Sequence, residues 1–245
     1  MPSDSLPPPR APYRLETAAG LCSGLLIVSN IASTRMVELG PLSFDGGTLV
    51  FPLTYILGDL MTEVYGYARS RAVIWTAFLC LGLAFLCLSL VSLLPAPAGW
   101  EGAEAWNAIL ALSPRLAAGS LLAFLAGSLV NASVLSKMKT RGPGKPPAWR
   151  FAVSTLAGEA VDTLVFATVG FLGAIGTDLW ARLCVSNFVY KTGFELALLP
   201  LTLLLARRLK RAEGRDWVDE GVSLSPFPWS WGDRRATRRN ADPSA

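Results

Sequence analysis

Residues 72–94, AVIWTAFLCLGLAFLCLSLVSLL, form a long apolar stretch that contains no charged side chain. The hydrocarbon core of a bilayer is about 30 Å thick, and a helix of about 20 mostly apolar residues crosses it. The stretch has this length and composition. It therefore predicts a transmembrane helix, and the rest of the fold depends on whether the flanking sequence repeats the pattern.

Apolar runs of similar length lie on both sides of this stretch. Hydrophobic residues make up 52% of the chain and charged residues 16%, against roughly 25% charged residues in a soluble domain. We predict an all-α membrane protein with six transmembrane helices near residues 15–34, 47–67, 72–94, 106–135, 151–176 and 183–206. We expect residues 1–14 to be disordered, residues 15–210 to form the transmembrane domain, and residues 211–245 to be a flexible tail.

The basic residues are concentrated on one side of the predicted bundle. With six spans, both termini and the second and fourth loops share a side, which carries Arg10, Arg14, Arg69, Arg71, Lys137, Lys139, Arg141, Lys145, Arg150, Arg207, Arg208, Lys210, Arg211 and Arg215. The opposite loops hold Arg35, Arg115 and Arg182. Because cytoplasmic loops are enriched in Lys and Arg, we expect both termini in the cytoplasm. Loop charges beside a lipid bilayer also account for the net charge of +4, so no nucleic-acid partner is expected.

The chain lacks the residues on which most catalytic and metal sites are built. It has no His, which excludes imidazole ligands and His-based catalytic triads. Its four cysteines lie in apolar segments without a CxxC pair, so they predict small buried side chains rather than a zinc site or a disulfide framework. We therefore predict no catalytic residue, no metal and no cofactor, and a protein that is not an enzyme.

Six ionisable residues lie inside the predicted spans. They are Asp59 and Glu63 in the second span, Glu159 and Asp162 in the fifth, and Lys191 and Glu195 in the sixth. Each costs about 2.5–3.5 kcal/mol near the centre of a membrane helix, so their presence indicates a function. The spacings of three or four residues put each pair on one helix face.

The depths of these charges agree across helices that run in opposite directions. At 1.5 Å per residue from the nearest basic anchor, four carboxylates lie roughly 13–18 Å deep. They are Asp59, Glu159, Asp162 and Glu195. We therefore expect a shared polar site near the bilayer midplane. The alternative is a set of structural ion pairs, with Lys191 bound to Glu195 on its own helix, and a surplus neutral carboxyl leaves proton coupling open.

The second and first predicted spans also carry residues that affect helix geometry. Pro52 and Gly58 predict an interruption of the second span just before Asp59, which is tolerated where backbone lines a cavity. On the first span, Gly20 and Gly24 have the GxxxG spacing. This spacing favours close helix packing inside the bundle or, alternatively, a surface for a partner.

A long motif surrounds the acids of the second span: GTLVFPLTYILGDLMTEVYG at residues 47–66, followed by Ala68-Arg69 and Ile74-Trp75. It resembles the signature of the queuosine precursor transporter family, also called vitamin uptake transporters. Three further blocks look similar: residues 115–124; the positions Ser154, Thr155, Leu156, Gly158, Asp162, Thr163 and Phe166; and Ser186-Asn187 leading to Lys191. Together these blocks cover about residues 15–210.

The resemblance implies a six-helix importer in the bacterial inner membrane. Its substrates would be 7-cyano-7-deazaguanine or 7-aminomethyl-7-deazaguanine, the precursors of queuosine in tRNA. The resemblance also implies an architecture like that of the substrate-binding subunits of energy-coupling-factor importers, and secondary transport without their ATPase module. The alternative is a binding subunit for a vitamin-like molecule that needs such a module. A homo-oligomer stays open.

The central carboxylates fit such a substrate chemically. A deazaguanine presents an adjacent ring N–H and exocyclic amine, two parallel donors that one carboxylate accepts as a fork. We expect Asp162 or Glu159 in this role. Asp59 or Glu195 is the competing choice.

Other residues of the spans would complete the binding site. The ring carbonyl of the base needs a donor, for which Lys191 or Asn187 is suitable. A flat ring also needs a stacking face, which Phe51, Tyr55 and Phe166 could supply. The alternative for these aromatic residues is ordinary packing in the bundle or contact with lipid.

Some positions depart from the family pattern. Ser128 and Asn131 stand where the resemblance leads us to expect Gln and Asp, and Glu159 stands where an uncharged amide is frequent. One acidic function could therefore have moved from the fourth helix to the fifth. Asn131 and Glu63 complete the set of candidate substrate-binding residues.

Overall fold

A computed structural model describes the chain at residues 13–39, 42–97, 99–110, 114–142, 146–219, 222–227 and 237–240. Residues 1–12, which are most of the predicted disordered N-terminus, lie outside the described residues. Residues 220–221, 228–236 and 241–245 of the predicted tail lie outside them as well. The described chain is mostly helical, as predicted for an all-α membrane protein.

Seven α-helices and two short antiparallel strand pairs make up the described fold. The helices are α1 (Tyr13–Ala32), α2 (Phe51–Tyr65), α3 (Tyr67–Ser92), α4 (Ala103–Leu110), α5 (Pro114–Arg141), α6 (Pro147–Phe171) and α7 (Thr177–Glu213). The strands are β1 (Met36–Leu39) paired with β2 (Leu42–Asp45), and β3 (Arg215–Val218) paired with β4 (Thr237–Asn240). A 3₁₀ helix at Gly46–Leu49 joins β2 to α2.

Five of these helices are long and apolar enough to cross a membrane: α1, α3, α5, α6 and α7. They make the chain a multi-pass membrane protein. The remaining predicted span, residues 47–67, contains α2, whose 15 residues extend about 22 Å at 1.5 Å per residue. This is shorter than a hydrocarbon core of about 30 Å, so the sixth crossing stays a prediction.

Two details predicted for the helices are wrong. Pro52 lies in the first turn of α2 and Gly58 lies inside it, so the helix is not interrupted before Asp59. Proline is accommodated there because amides of the first turn have no partner within the helix. The run predicted as one span at residues 106–135 is divided, because α4 ends at Leu110 and α5 begins at Pro114.

The α2 helix lies in the middle of the bundle. It contacts α1, α3, α5 and α7, and most of its residues are buried. Gly66 separates α2 from α3 with a φ angle of +83°, a conformation that glycine adopts without strain. The two helices therefore follow each other directly, and the acids of α2 point into the protein.

The α5 and α6 helices make the most extensive contact in the described fold. Gly127 and Gly158 permit this approach: a Cβ at Gly127 would lie 2.7 Å from the Cβ of Asp162, and one at Gly158 would lie 2.7 Å from the Cβ of Asn131. The GxxxG pair of α1 has no such role among the described residues, because none of their atoms lies within 4 Å of a Cβ built at either glycine.

The C-terminal segment, which we expected to be flexible from residue 211, is packed against the helices in its described part. The α7 helix continues to Glu213, and β3 and the buried Asp219 follow. The Asp219 carboxylate accepts hydrogen bonds from the Tyr67 backbone N–H and from the Ser136 hydroxyl, both at 2.7 Å. Amino-acid composition could not reveal this packing, because the packing depends on hydrogen bonds between individual residues that are far apart in sequence.

Candidate functional site

The acids predicted inside the spans are all buried in the protein. Each is at most 8% exposed: Asp59, Glu63, Glu159, Asp162 and Glu195. The Lys191 side chain, at 25%, keeps partial exposure. The polar stripes of α2, α6 and α7 therefore turn away from lipid, as the cost of charge in a bilayer requires.

A cavity of about 310 Å³ lies among α1, α2, α5, α6 and α7. Ligand pockets in proteins typically measure about 300–1,000 Å³, so the space suits one small molecule. Six of the predicted site residues line it: Phe51, Asp162, Phe166, Asn187, Lys191 and Glu195. The cavity thus combines carboxylates, an ammonium group, an amide and aromatic rings.

Asp162 and Lys191 form an ion pair on the cavity wall. The Lys191 Nζ lies 2.5 Å from Oδ2 of Asp162 and 3.9 Å from Oε2 of Glu159. The same ammonium group lies 4.4 Å from the centroid of the Phe51 ring, which adds a cation–π contact. Lys191 therefore pairs with the neighbouring helix α6 rather than with Glu195 on its own helix.

A polar part of the cavity wall was not predicted. Ser29 and Asn30 on α1 and Ser120 on α5 line the cavity, and the exposed Ser33 and Thr34 lie at its rim. The Ser120 hydroxyl donates to Oδ1 of Asn30 at 2.8 Å. The available signal was weak, because these residues are small and uncharged and lie within or beside long apolar runs.

Four other predicted residues are buried near the cavity without lining it: Tyr55, Asp59, Asn131 and Glu159. The Asn131 side chain donates to Oδ1 of Asp59 at 2.8 Å, which joins α5 to α2. Tyr55 packs against Phe51 with ring centroids 5.0 Å apart. Tyr55 and Asn131 also line a second, much smaller cavity of about 20 Å³. These four residues are therefore candidates for supporting the cavity wall rather than for contacting a ligand.

The four carboxylates predicted at one depth interact electrostatically with one another. Glu159 interacts with Asp162 and with Glu195, and Glu195 interacts with Asp59. Asp59 in turn interacts with Glu63. The acids of three helices therefore form a series that leads from the cavity towards the end of α2.

Glu63 belongs to a separate ion cluster. Its Oε1 accepts hydrogen bonds from Arg150 at 2.8 Å and from Lys210 at 2.7 Å. Asp216 accepts from Lys210 at 3.0 Å and from Lys139 at 2.6 Å. These bonds join α2, α5, α6, α7 and β3. The alternative of structural ion pairs therefore applies at Glu63, even though it shares a helix face with Asp59.

The two clusters lie at opposite ends of the bundle. The cavity is lined by residues at the end of α1, the start of α5 and the end of α6, and we name this the cavity end. The Glu63 cluster joins the end of α5, the start of α6 and the end of α7, and we name this the basic end. Exposed residues line the cavity at the cavity end, while buried ion pairs lie at the basic end.

Named bacterial relatives match most of the chain. A Bacillus subtilis (strain 168) protein named "Probable queuosine precursor transporter" is 29% identical over 176 residues, which cover 71% of this chain and 76% of that protein. The "Queuosine precursor transporter" of Escherichia coli (strain K12) is 25% identical over 207 residues, which cover 80% of this chain and 89% of that protein. No solved structure matches the chain.

A family model also matches the chain. The model described as "Putative vitamin uptake transporter" matches residues 45–205, from the end of β2 through most of α7. This region contains α2, α6 and α7, which carry the buried charges around the cavity. The family consists of transporters rather than enzymes. Because the match covers more than half of its length, the chain belongs to the vitamin uptake transporter family.

Proposed function

We propose that the protein imports queuosine precursors, 7-cyano-7-deazaguanine or 7-aminomethyl-7-deazaguanine, across the bacterial inner membrane for tRNA modification. It does so as a secondary transporter, without an ATPase module. The names of the relatives support the substrate class. The chemistry of the cavity supports it independently.

The observation that carries the proposal is the Asp162–Lys191 pair on the cavity wall. A guanine-like edge presents two donors beside one carbonyl acceptor. The Asp162 carboxylate can accept the two donors as a fork, and the Lys191 ammonium or the Asn187 amide can donate to the carbonyl. The base then adds its hydrogen bonds to two groups that the ion pair already holds in place, so that neither charge is left without a partner.

Aromatic side chains supply the second requirement of a flat heterocycle. Phe51 and Phe166 both line the cavity, and each offers a ring face or edge to a bound base. Tyr55 supports Phe51 from behind. A base that fills the space between the charged pair and these rings would be recognised both by its hydrogen-bonding edge and by its planarity.

The distribution of charge supports an orientation for transport. We assign the basic end to the cytoplasm, because cytoplasmic loops are enriched in Lys and Arg. Both termini are then cytoplasmic, and α2 with the residues before it makes the sixth crossing. In this arrangement the cavity is reached from outside, and the Glu63 cluster closes the cytoplasmic end. The structure would therefore correspond to the state that takes up substrate.

The test uses bacteria that neither make the precursor nor have an importer of their own. Expression of the protein should restore queuosine in tRNA when the precursor is supplied, and the Asp162→Asn variant should not. The matched control is Glu38→Gln, which changes an exposed acid on β1 and should act like wild type. If tRNA stays unmodified although the protein reaches the membrane, the substrate assignment is wrong.

Purified protein in lipid vesicles separates secondary transport from the alternative. Accumulation of labelled precursor by the chain alone, driven by an ion gradient, supports a secondary transporter. Saturable binding without accumulation would instead identify a binding subunit that requires a separate ATPase module.

A further inference from the structure

We propose that Glu159 and Glu195 share one proton and that this proton is the ion that drives transport. The inference rests on the proposed function, because it assigns a coupling ion to the same transport cycle. It adds a proton site that reaches the cavity wall at Glu195, and it leaves the recognition of the base to Asp162 and Lys191.

Glu159 and Glu195 interact where α6 packs against α7. Glu159 is 0% exposed, while Glu195 is 8% exposed and lines the cavity. Among the described residues, the two carboxylate oxygens of Glu159 have no hydrogen-bond partner. Oε1 of Glu195 has no partner among them either. Two neighbouring carboxyls that are buried with only the hydroxyls of Tyr55 and Thr155 as nearby donors are poorly stabilised as two anions.

Tyr55 supplies a third buried polar group beside the two glutamates. The residue is 4% exposed, and its hydroxyl has no hydrogen-bond partner within the described ranges. The hydroxyl interacts electrostatically with Glu159, Glu195 and Asp162. Buried polar groups in proteins are nearly always hydrogen-bonded. A proton on the pair satisfies these groups, because a protonated carboxyl donates to its neighbour and leaves an acceptor for the phenol.

The charges around the pair favour one bound proton. The groups that face it are Tyr55 and Asp59 from α2, Asp162 from α6 and Lys191 from α7. The α5 helix contributes Asn131, whose amide is already bonded to Asp59. The ammonium of Lys191 lies on Asp162 and stands 3.9 Å from Glu159. Lys191 therefore neutralises Asp162, and a shared proton relieves the repulsion between the two glutamates.

Lys191 links the proton to the substrate. With the proton bound, the pair carries a single negative charge and Lys191 stays on Asp162, as observed, which holds both groups in place for the base. Loss of the proton adds a second negative charge to the pair and attracts Lys191 towards Glu159. Proton and base therefore bind together, so an inward proton gradient drives import. One carboxyl O–H bond forms on one side of the membrane and breaks on the other.

The test measures binding and transport of 7-cyano-7-deazaguanine, whose nitrile carries no amine that titrates. Binding to the purified wild type should weaken about tenfold as rising pH removes the shared proton. In vesicles, a gradient that is acidic outside should drive accumulation, and a protonophore should abolish it. Exchange of labelled for unlabelled base should continue with the protonophore present, because exchange moves no net proton.

The variant Glu159→Gln separates coupling from binding. Because glutamine carries no charge, residue 159 and Glu195 together can carry at most one negative charge. Lys191 should therefore stay on Asp162 at every pH. We expect binding and exchange to persist without pH dependence, and gradient-driven accumulation to fall by about tenfold or more. The matched control is Glu104→Gln, an exposed acid on α4, which should keep both pH dependence and accumulation.

Several results would overturn the inference. Accumulation of the base that does not depend on the proton gradient, or that depends on a sodium gradient, excludes the proton as the coupling ion. A Glu159→Gln variant that accumulates the base like wild type excludes it as well. If that variant does not fold, infrared spectroscopy of the wild type decides: the carbonyl band of a protonated carboxylic acid should be present at neutral pH, and its absence contradicts a shared proton. A wild type that neither binds nor exchanges the base contradicts the proposed function itself.

Discussion

Asp162 and Lys191 are the residues on which binding of the base should depend most. Asp162→Asn keeps the size of the side chain but weakens acceptance of the two donors and leaves Lys191 without its partner. We expect the affinity for 7-cyano-7-deazaguanine to fall about 10–100-fold in Asp162→Asn and in Lys191→Ala. Equilibrium binding to purified protein measures this, and membrane insertion should be intact because losing a charge eases insertion. Unchanged affinity in both variants would make the pair structural.

Glu63 should matter for stability rather than for binding. Glu63→Ala leaves Arg150 and Lys210 without their shared acceptor at the basic end. Breaking a buried ion pair from one side costs about 3–5 kcal/mol, so the thermal unfolding midpoint in detergent should fall clearly. Glu38→Ala, at an exposed position, serves as the control. If the Glu63→Ala variant kept normal stability but lost binding of the base, Glu63 would instead be a binding residue.

The sequence located the buried charges because lipid tolerates so few of them. The sequence did not show that Glu63 and Asp59 have different roles. The two residues lie one turn apart on one helix face, and only their partners on other helices distinguish them. The polar wall around Ser29, Asn30 and Ser120 was missed for a different reason. Small uncharged side chains cost little in a membrane, so they leave a weak signal in hydropathy.

At the scale of elements, the close contact of α5 and α6 should be intolerant of added volume. A methyl group at Gly158 would lie 2.7 Å from the Cβ of Asn131, so Gly158→Ala must separate the helices or displace that side chain. Overpacking of this kind costs about 1–3 kcal/mol. We expect a lower unfolding midpoint, while Gly24→Ala on α1 should be neutral or slightly stabilising. Equal effects at both glycines would contradict the packing described.

The C-terminal segment should contribute to stability through one carboxylate. Asp219→Ala removes the acceptor for the Tyr67 N–H and the Ser136 hydroxyl, both at the basic end. Leaving buried donors unsatisfied costs about 1–3 kcal/mol. We expect a lower unfolding midpoint and faster proteolysis after Glu213, compared with Glu104→Ala at an exposed position. Proteolysis at the wild-type rate would support the flexible tail expected from composition.

Hydropathy located the five long helices and the shorter α2, since each of them overlaps a predicted run. Apolar length is the signal that a bilayer imposes, and it survives without any knowledge of packing. The same signal could not show that α4 ends at Leu110 and that α5 begins at Pro114. It also could not show that Pro52 starts a helix instead of interrupting one, because proline serves both purposes.

At the scale of the whole molecule, the contrast between the cavity end and the basic end predicts which side is outside. In a variant without the native cysteines, Glu104→Cys near the cavity end should react with a membrane-impermeant thiol reagent in intact cells. Arg211→Cys at the basic end should react only after the membrane is permeabilised. Both positions are exposed, so accessibility reports sidedness. The reverse pattern would place the cavity on the cytoplasmic side.

A structure of the protein with 7-cyano-7-deazaguanine bound would test the claim that Asp162 and Lys191 recognise the base in the cavity. We expect the base in the cavity of about 310 Å³, with its ring N–H and exocyclic amine within hydrogen-bonding distance of the Asp162 carboxylate, and a face or edge against Phe51 or Phe166. A base bound elsewhere, or in the cavity with no contact to Asp162 or Lys191, would contradict the claim.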